Sequence, residues 1–136
     1  MSKVLITTSS FDLGNFHDAK ALQDRGISIE KNPHGRRLTE NEVAELTSHG
    51  VIALLAGLEP LTENVLSGAK SLRVIARCGT GLDNVDLNAA KKLGIDVFNT
   101  PDAPTQAVAE LTIGHMLNML RGISVTDSHI RAGNWS

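Results

Sequence analysis

Aromatic side chains are nearly missing from this sequence: three phenylalanines, one tryptophan and no tyrosine make up 3% of 136 residues. With so few π-faces, base-stacking platforms for single-stranded nucleic acid are excluded. A lone cysteine, Cys78, excludes an internal disulfide framework and a multi-cysteine zinc site, and suits a reducing, cytoplasmic compartment. Charge of one sign is not in excess: 13 basic against 15 acidic side chains give a net charge of −2, which is no footprint for nucleic acid. No apolar run approaches the roughly 20 residues that span a bilayer, so no membrane partner is expected. The start, Met1-Ser2-Lys3 and then a short apolar run, lacks the small-residue cleavage site of a signal peptide. The five histidines show no paired metal spacing, so no metal site is expected. What is present is ordinary globular composition, 41% hydrophobic and 21% charged, in a chain long enough to bury a core.

Short β-branched runs alternate with helical patterns. Strands are expected at 4–8, 27–30, 51–55, 73–76 and 95–98. Between them, a helix around 17–25 stops at Gly26, and Thr39 with Glu42 three residues on forms a capping box for a helix ending near Gly50. Thr62 caps a short helix to about Ala69, and Asp86 caps one that ends at Gly94. Five strands alternating with helices imply an α/β, doubly wound, five-stranded parallel sheet in flavodoxin-like order. Ligands of such sheets sit beyond the carboxyl ends of the strands. That singles out the loops at 8–15, 56–61, 77–85 and 99–105.

The last third departs from the alternation. Residues 105–120 read as a long helix with Thr105 as its cap. Its apolar residues, among them Val108, Leu111, Met116, Leu117 and Leu120, go most of the way round the wheel, which calls for cover on most sides. After Arg121-Gly122, a further helical segment spans 125–132, and the chain stops at Asn134-Trp135-Ser136 with no closing element. The expected division is a flavodoxin-like domain over 1–104 and a crossover helix with linker over 105–136. Pairing of the helix with a second copy, close at Gly114, is the simplest closed way to cover it, giving a homodimer.

The G-x-G in Cys78-Gly79-Thr80-Gly81 follows a strand, but a dinucleotide fingerprint needs Gly or Ala where Asn84 stands. What the loop offers is backbone N–H groups open to an anion such as a carboxylate; the alternative is a plain glycine turn. Asp127-Ser128-His129 fails as a triad, because neighbours in sequence are not a spatial constellation. His115 lies on the apolar helix and reads as a packed or interface histidine rather than a base. Cys78 has no adjacent histidine and reads as a small hydrophobe rather than a reactive thiol. The first strand runs into Thr7-Thr8-Ser9-Ser10, not into the acidic pair of a phospho-acceptor receiver.

Several segments together carry a resemblance: Ala56-Gly57-Leu58-Glu59-Pro60-Leu61-Thr62, Arg77-Cys78-Gly79-Thr80-Gly81-Leu82-Asp83-Asn84-Val85-Asp86, Asn99-Thr100-Pro101-Asp102-Ala103-Pro104-Thr105, Val108-Ala109-Glu110-Leu111-Thr112 and Gly133-Asn134-Trp135. In this order and spacing the chain resembles the N-terminal, substrate-binding part of the D-isomer-specific 2-hydroxyacid dehydrogenases, nearest their D-3-phosphoglycerate dehydrogenase branch. The resemblance implies an NAD-dependent oxidoreductase that oxidises or reduces a small 2-hydroxy or 2-oxo carboxylate by hydride transfer. It implies substrate contacts at Ala56, Gly57, Arg77, Cys78 and Gly79, and cofactor contacts at Thr80 and Val108. The acid–base histidine with its glutamate, the carboxylate-orienting arginine and the NAD fingerprint would lie beyond residue 136, so no catalytic residue is assigned here. Where some members carry an arginine that helps bind substrate phosphate, this chain has Ala56. The expectation is a truncated, substrate-binding fragment without catalysis of its own; the alternative is a stand-alone small-anion-binding or dimerising module.

Overall fold

The computed structural model describes residues 2–8, 11, 13–15 and 18–135. Five strands, β1 (Lys3–Ile6), β2 (Ser28–Lys31), β3 (Val51–Ala56), β4 (Val74–Arg77) and β5 (Asp96–Phe98), form one sheet in the order β2-β1-β3-β4-β5. Every pairing is parallel. This is the flavodoxin-like arrangement expected from the alternation of elements. The crossovers are α1 (Ala19–Asp24), α2 (Glu40–Thr47), α3 (Glu63–Gly68) and α4 (Leu87–Leu93). The chain moves outward from β1 to β2 and then returns past β1 to β3, so the order reverses between β1 and β3. Their carboxyl ends flank the crevice where such sheets take ligands.

The core follows from this register. Leu5, Leu54 and Ile75 stand in one cross-strand row and are 0–1% exposed. Val43 of α2, Val65 and Leu66 of α3, and Ala89 and Ala90 of α4 pack over the sheet. A fully buried row of this kind needs no polar alternation, which is why 51–55 reads as continuous apolar sequence.

The caps are local chemistry and stand where the residue pattern put them. The Thr39 hydroxyl accepts from Glu42 N (3.4 Å) while the Glu42 carboxylate accepts from Thr39 N (2.8 Å). Thr62 caps α3 through Val65 N (3.4 Å) and Asp86 caps α4 through Ala89 N (2.9 Å).

Other boundaries differ from the sequence reading. Arg77 is the last residue of β4, paired with Ala56, rather than the first of a loop. In the loop region after β1 a 3-10 turn spans Leu13–Asn15. Ser9, Ser10 and His17, which the sequence reading placed in the loop and at the helix start, lie outside the described residues.

The chain divides into two compact units, Met1–Pro101 and Asp102–Ser136. The second consists of α5 (Thr105–Arg121) and α6 (Ile123–Arg131). Thr105 is not the cap expected of it. It is the first helical residue, and Pro104 before it is already in the right-handed helical region, with no side-chain cap. A residue inside the first turn cannot present its hydroxyl as an N-cap does. α6 begins two residues earlier than the 125–132 expected, because the Asn118 side-chain oxygen accepts from Ser124 N (2.9 Å) and supports its first turn.

Candidate functional site

At the carboxyl ends of β1, β3 and β4 the backbone ladder continues just past the strands. Thr7 N donates to Leu55 O (3.0 Å) and Cys78 N to Ala56 O (2.8 Å), which brings three chain segments out side by side. The turn after β3 folds back onto a buried carboxylate. Glu59 is 1% exposed, and its carboxylate oxygens accept from Gly57 N at 3.1 and 3.2 Å and bond the Thr7 hydroxyl. Gly57 suits this closeness, since a Cβ there would be crowded at 3.1 Å from Glu59 Oε2 and 3.2 Å from Thr8 Cα. From the other side, Asn84 Nδ2 donates to the carbonyls of Gly57 (3.3 Å) and Glu59 (2.8 Å). Leu61 N to Asn84 O (2.8 Å) and Asp86 N to Leu61 O (2.9 Å) complete the tie between the turn after β3 and the glycine loop after β4.

A pocket of about 260 Å³ opens on this framework. Thr7 and Thr8 form one wall, Gly57, Leu58 and Glu59 another, and Arg77 and Cys78 a third, with Arg37 reaching in from the segment before α2. Arg77 is half-buried. Its Nη1 donates to Cys78 O (2.8 Å), while its Nε is buried with no partner among the described residues. The guanidinium lies over Gly79, whose φ of 143° is costly for any other residue and where a Cβ would collide with Arg77 Nη1. Gly79 thus leaves room for the arginine. An orphaned N–H in a low-dielectric wall is unfavourable unless a ligand or water accepts from it, and an oxyanion is the strongest such acceptor. Burial pushes the Cys78 thiol up; the Arg77 charge opposes the rise and Glu59 adds to it. The shift lowers the thiolate fraction, and with it the nucleophilicity of the thiol.

The residues singled out from sequence separate as follows. Gly57, Arg77 and Cys78 line the pocket. Ala56 is fully buried in the hydrophobic core, and it is the next residue that meets the pocket. The Gly79 amide is engaged by Thr100 Oγ1 (2.9 Å). Thr80 is exposed, with its hydroxyl donating to Pro101 O (3.3 Å) and its carbonyl accepting from Asn99 Nδ2 (2.7 Å). Val108 stands on α5, in the second unit, 57% exposed.

Four participants escaped the sequence reading: Thr7, Arg37, Glu59 and Asn84. A glutamate between Leu58 and Pro60 reads as a solvated loop residue. Its only signal is the glycine two positions before it, and that becomes informative only once the fold has closed the turn.

The glycine loop does not fit the pyrophosphate of NAD. Its first amide is taken by Thr100, and no helix opens at its end. α4 starts only at Leu87, behind Asp86, whose carboxylate occupies the cap. Among the described residues, no group of three His, Cys, Asp or Glu side chains converges as metal ligands, and no helix is long and apolar enough to cross a membrane.

Comparison with known proteins agrees with this geometry. The family model "D-isomer specific 2-hydroxyacid dehydrogenase, catalytic domain" matches residues 11–133. The D-3-phosphoglycerate dehydrogenase of Sus scrofa is 39% identical over 116 residues, covering 84% of this chain and 21% of that one. The hydroxypyruvate reductase of Thermotoga maritima is 35% identical over 118 residues, covering 87% of this chain and 39% of its own. In three dimensions, the TT0316 protein from Thermus thermophilus superposes with a TM-score of 0.79 at 29% identity, over 98% of this chain and 42% of that one. The chain thus spans between about a fifth and two fifths of the length of these relatives. With the family match running through the turn after β3, the glycine loop after β4 and both helices of the second unit, the chain belongs to the D-isomer-specific 2-hydroxyacid dehydrogenases.

Proposed function

We propose that the pocket between β1, β3 and β4 holds the carboxylate end of a small 2-hydroxy or 2-oxo acid, as the substrate-binding part of an NAD-dependent D-2-hydroxyacid dehydrogenase. The observation that carries this is the Arg77 guanidinium, fixed over Gly79 in the pocket wall with a buried, unpartnered Nε. A carboxylate supplies the acceptor this N–H lacks, and the cationic fork favours it over a neutral ligand. At about 260 Å³ the pocket has room for a two- to four-carbon acid. The buried Glu59 keeps the strand-end turns around it in place.

Hydride transfer needs a nicotinamide at near-attack distance and a proton donor beside the reacting carbon. The glycine loop is not a cradle for the cofactor, and among the described residues no histidine lines the pocket. In this reading NAD is held by protein outside the pocket-bearing unit, and the chain on its own binds without turnover. Thr80 and Val108 remain the proposed points of contact with the cofactor.

The test is a nitrogen-edited NMR titration of the chain with D-glycerate and with glyoxylate. Amide shifts should cluster at Gly57 and at residues 77–81, with affinity no tighter than millimolar, and Arg77→Gln should abolish them. Shifts elsewhere, or none, would reduce the loop to a turn.

A further inference from the structure

Asn84 stands where a dinucleotide fingerprint would need a glycine or an alanine, and the cofactor reading leaves it without a task. Its side chain is half-buried and is not among the groups that line the pocket. Instead it crosses from the loop after β4 to the turn after β3. An asparagine Nδ2 carries two N–H groups. Here it donates to two carbonyls, Gly57 O (3.3 Å) and Glu59 O (2.8 Å).

Gly57 and Glu59 are thereby held from two sides. On the β1 side, the Glu59 carboxylate accepts from Gly57 N and bonds the Thr7 hydroxyl. On the β4 side, the carbonyls of the same two residues accept from the one amide group of Asn84. The fold does not depend on that amide, because the backbone of the same region carries a separate tie. Leu61 N donates to Asn84 O (2.8 Å), Asp86 N donates to Leu61 O (2.9 Å), and Leu61 pairs with Val85 in an isolated parallel bridge. Leu61 and Val85 are 0% and 7% exposed and belong to the core. Truncating the Asn84 side chain leaves those contacts in place and removes only the grip on the Gly57 and Glu59 carbonyls.

We propose that Asn84 is a positioning residue for the ligand. Acting through Gly57 and Glu59, it fixes the wall of Gly57 and Leu58 relative to the wall of Arg77 and Cys78, and so sets the width of the pocket without touching what binds there. This rests on the carboxylate reading above and adds to it the residue that holds the two walls in register. The requirement is for a donor. An aspartate of the same shape would offer the two carbonyls only acceptor oxygens.

The experiment titrates four forms of the 136-residue chain with D-glycerate by the same NMR measurement: the parent, Asn84→Ala, Asn84→Asp and Val43→Ala. Val43 is fully buried on α2 and does not line the pocket, so its truncation lowers stability without altering the strand-end turns. Both Asn84 variants should fold and bind D-glycerate about tenfold more weakly, the size of effect that loss of one hydrogen bond's worth of positioning produces. Val43→Ala should keep the parent affinity. A second readout needs no ligand. Amide hydrogen exchange at Gly57 should accelerate in Asn84→Ala by more than it does at Leu54 and Ile75 in the sheet, and Val43→Ala should show no such excess at Gly57. Parent affinity in either folded Asn84 variant, or Gly57 exchange that keeps step with the sheet, overturns the proposal. Failure of both Asn84 variants to fold overturns it as well, since Asn84 would then serve the fold alone. Absence of D-glycerate shifts in the parent instead overturns the carboxylate reading on which the proposal stands, whatever the exchange rates show.

Discussion

Gly79 and Arg77 show how much of the pocket rests on single atoms. An alanine at 79 meets two penalties, a φ of 143° and a Cβ on the guanidinium of Arg77. The backbone strain alone is worth roughly 1–3 kcal/mol. Gly79→Ala should lower stability by about that amount in urea unfolding and, by expelling Arg77 from its wall, abolish the D-glycerate shifts. Glu59 gives a second residue-scale test. Glu59→Ala removes the acceptor for the buried Gly57 N–H and the partner of the Thr7 hydroxyl, so it should cost about 2 kcal/mol or more in the same measurement. At Cys78 the raised thiol pKa means less thiolate at neutral pH. Alkylation by iodoacetamide should be slower than for an unperturbed thiol, with its pH profile displaced upward. A rate equal to that of a free thiol in the same buffer would contradict the burial assigned to it.

The element most dependent on charge is α2. Its cap combines Thr39, Glu42 and Arg36, and the Arg36 fork, followed by the Thr39 N–H, holds the Glu42 carboxyl well below the usual carboxylate range. A folded-state pKa below the unfolded one adds stability above the ordinary carboxylate range. That contribution is lost as pH falls through the folded value. Glu42→Gln should therefore be less stable than the parent at neutral pH, with the gap closing in acid. Because the groups are solvent-exposed, salt should narrow the gap as well. Thr39→Ala, which removes the hydroxyl that accepts from Glu42 N, should cost about 1 kcal/mol at neutral pH. A gap that widens in acid would mean that Glu42 acts through packing rather than charge.

At the scale of the whole molecule, the two-helix unit displays Leu111 at 61%, Met116 at 57%, Leu117 at 52% and Leu120 at 80% exposure. Leaving such side chains in water forgoes roughly 1.5–3 kcal/mol each relative to full burial, a large sum beside the about 5–15 kcal/mol that holds a domain folded. We propose that a second copy covers this face by two-fold pairing. Gly114, where a Cβ would meet nothing within 4 Å, leaves space for a close helix crossing. Light scattering at micromolar concentration should give a dimer, and Leu117→Glu should shift it toward monomer. A clean monomer of the parent chain would refute the pairing. The same preparation should form no NADH from NAD and D-2-hydroxy acids, and substrate-dependent NADH formation would refute binding without turnover.

Local patterns were enough to determine the order of elements, the parallel five-stranded sheet and the caps at Thr39, Thr62 and Asp86. Strand and helix periods, cap hydroxyls and turn glycines act over a few residues, so one chain read in order displays them. The composition of the pocket is different, because it is assembled at a reversal in strand order. Thr7, Arg37, Glu59, Arg77 and Asn84 are far apart in sequence and meet only when β3 returns past β1. Nothing local distinguishes Arg36 from Arg37; the partner Glu42 across the cap and the tie from Asn32 to Thr7 do so. Glu59 is likewise legible as a loop acid until Gly57 N and Thr7 close over it. The fold class was written in local periodicity, and the lining of the pocket in long-range convergence that only tertiary packing supplies.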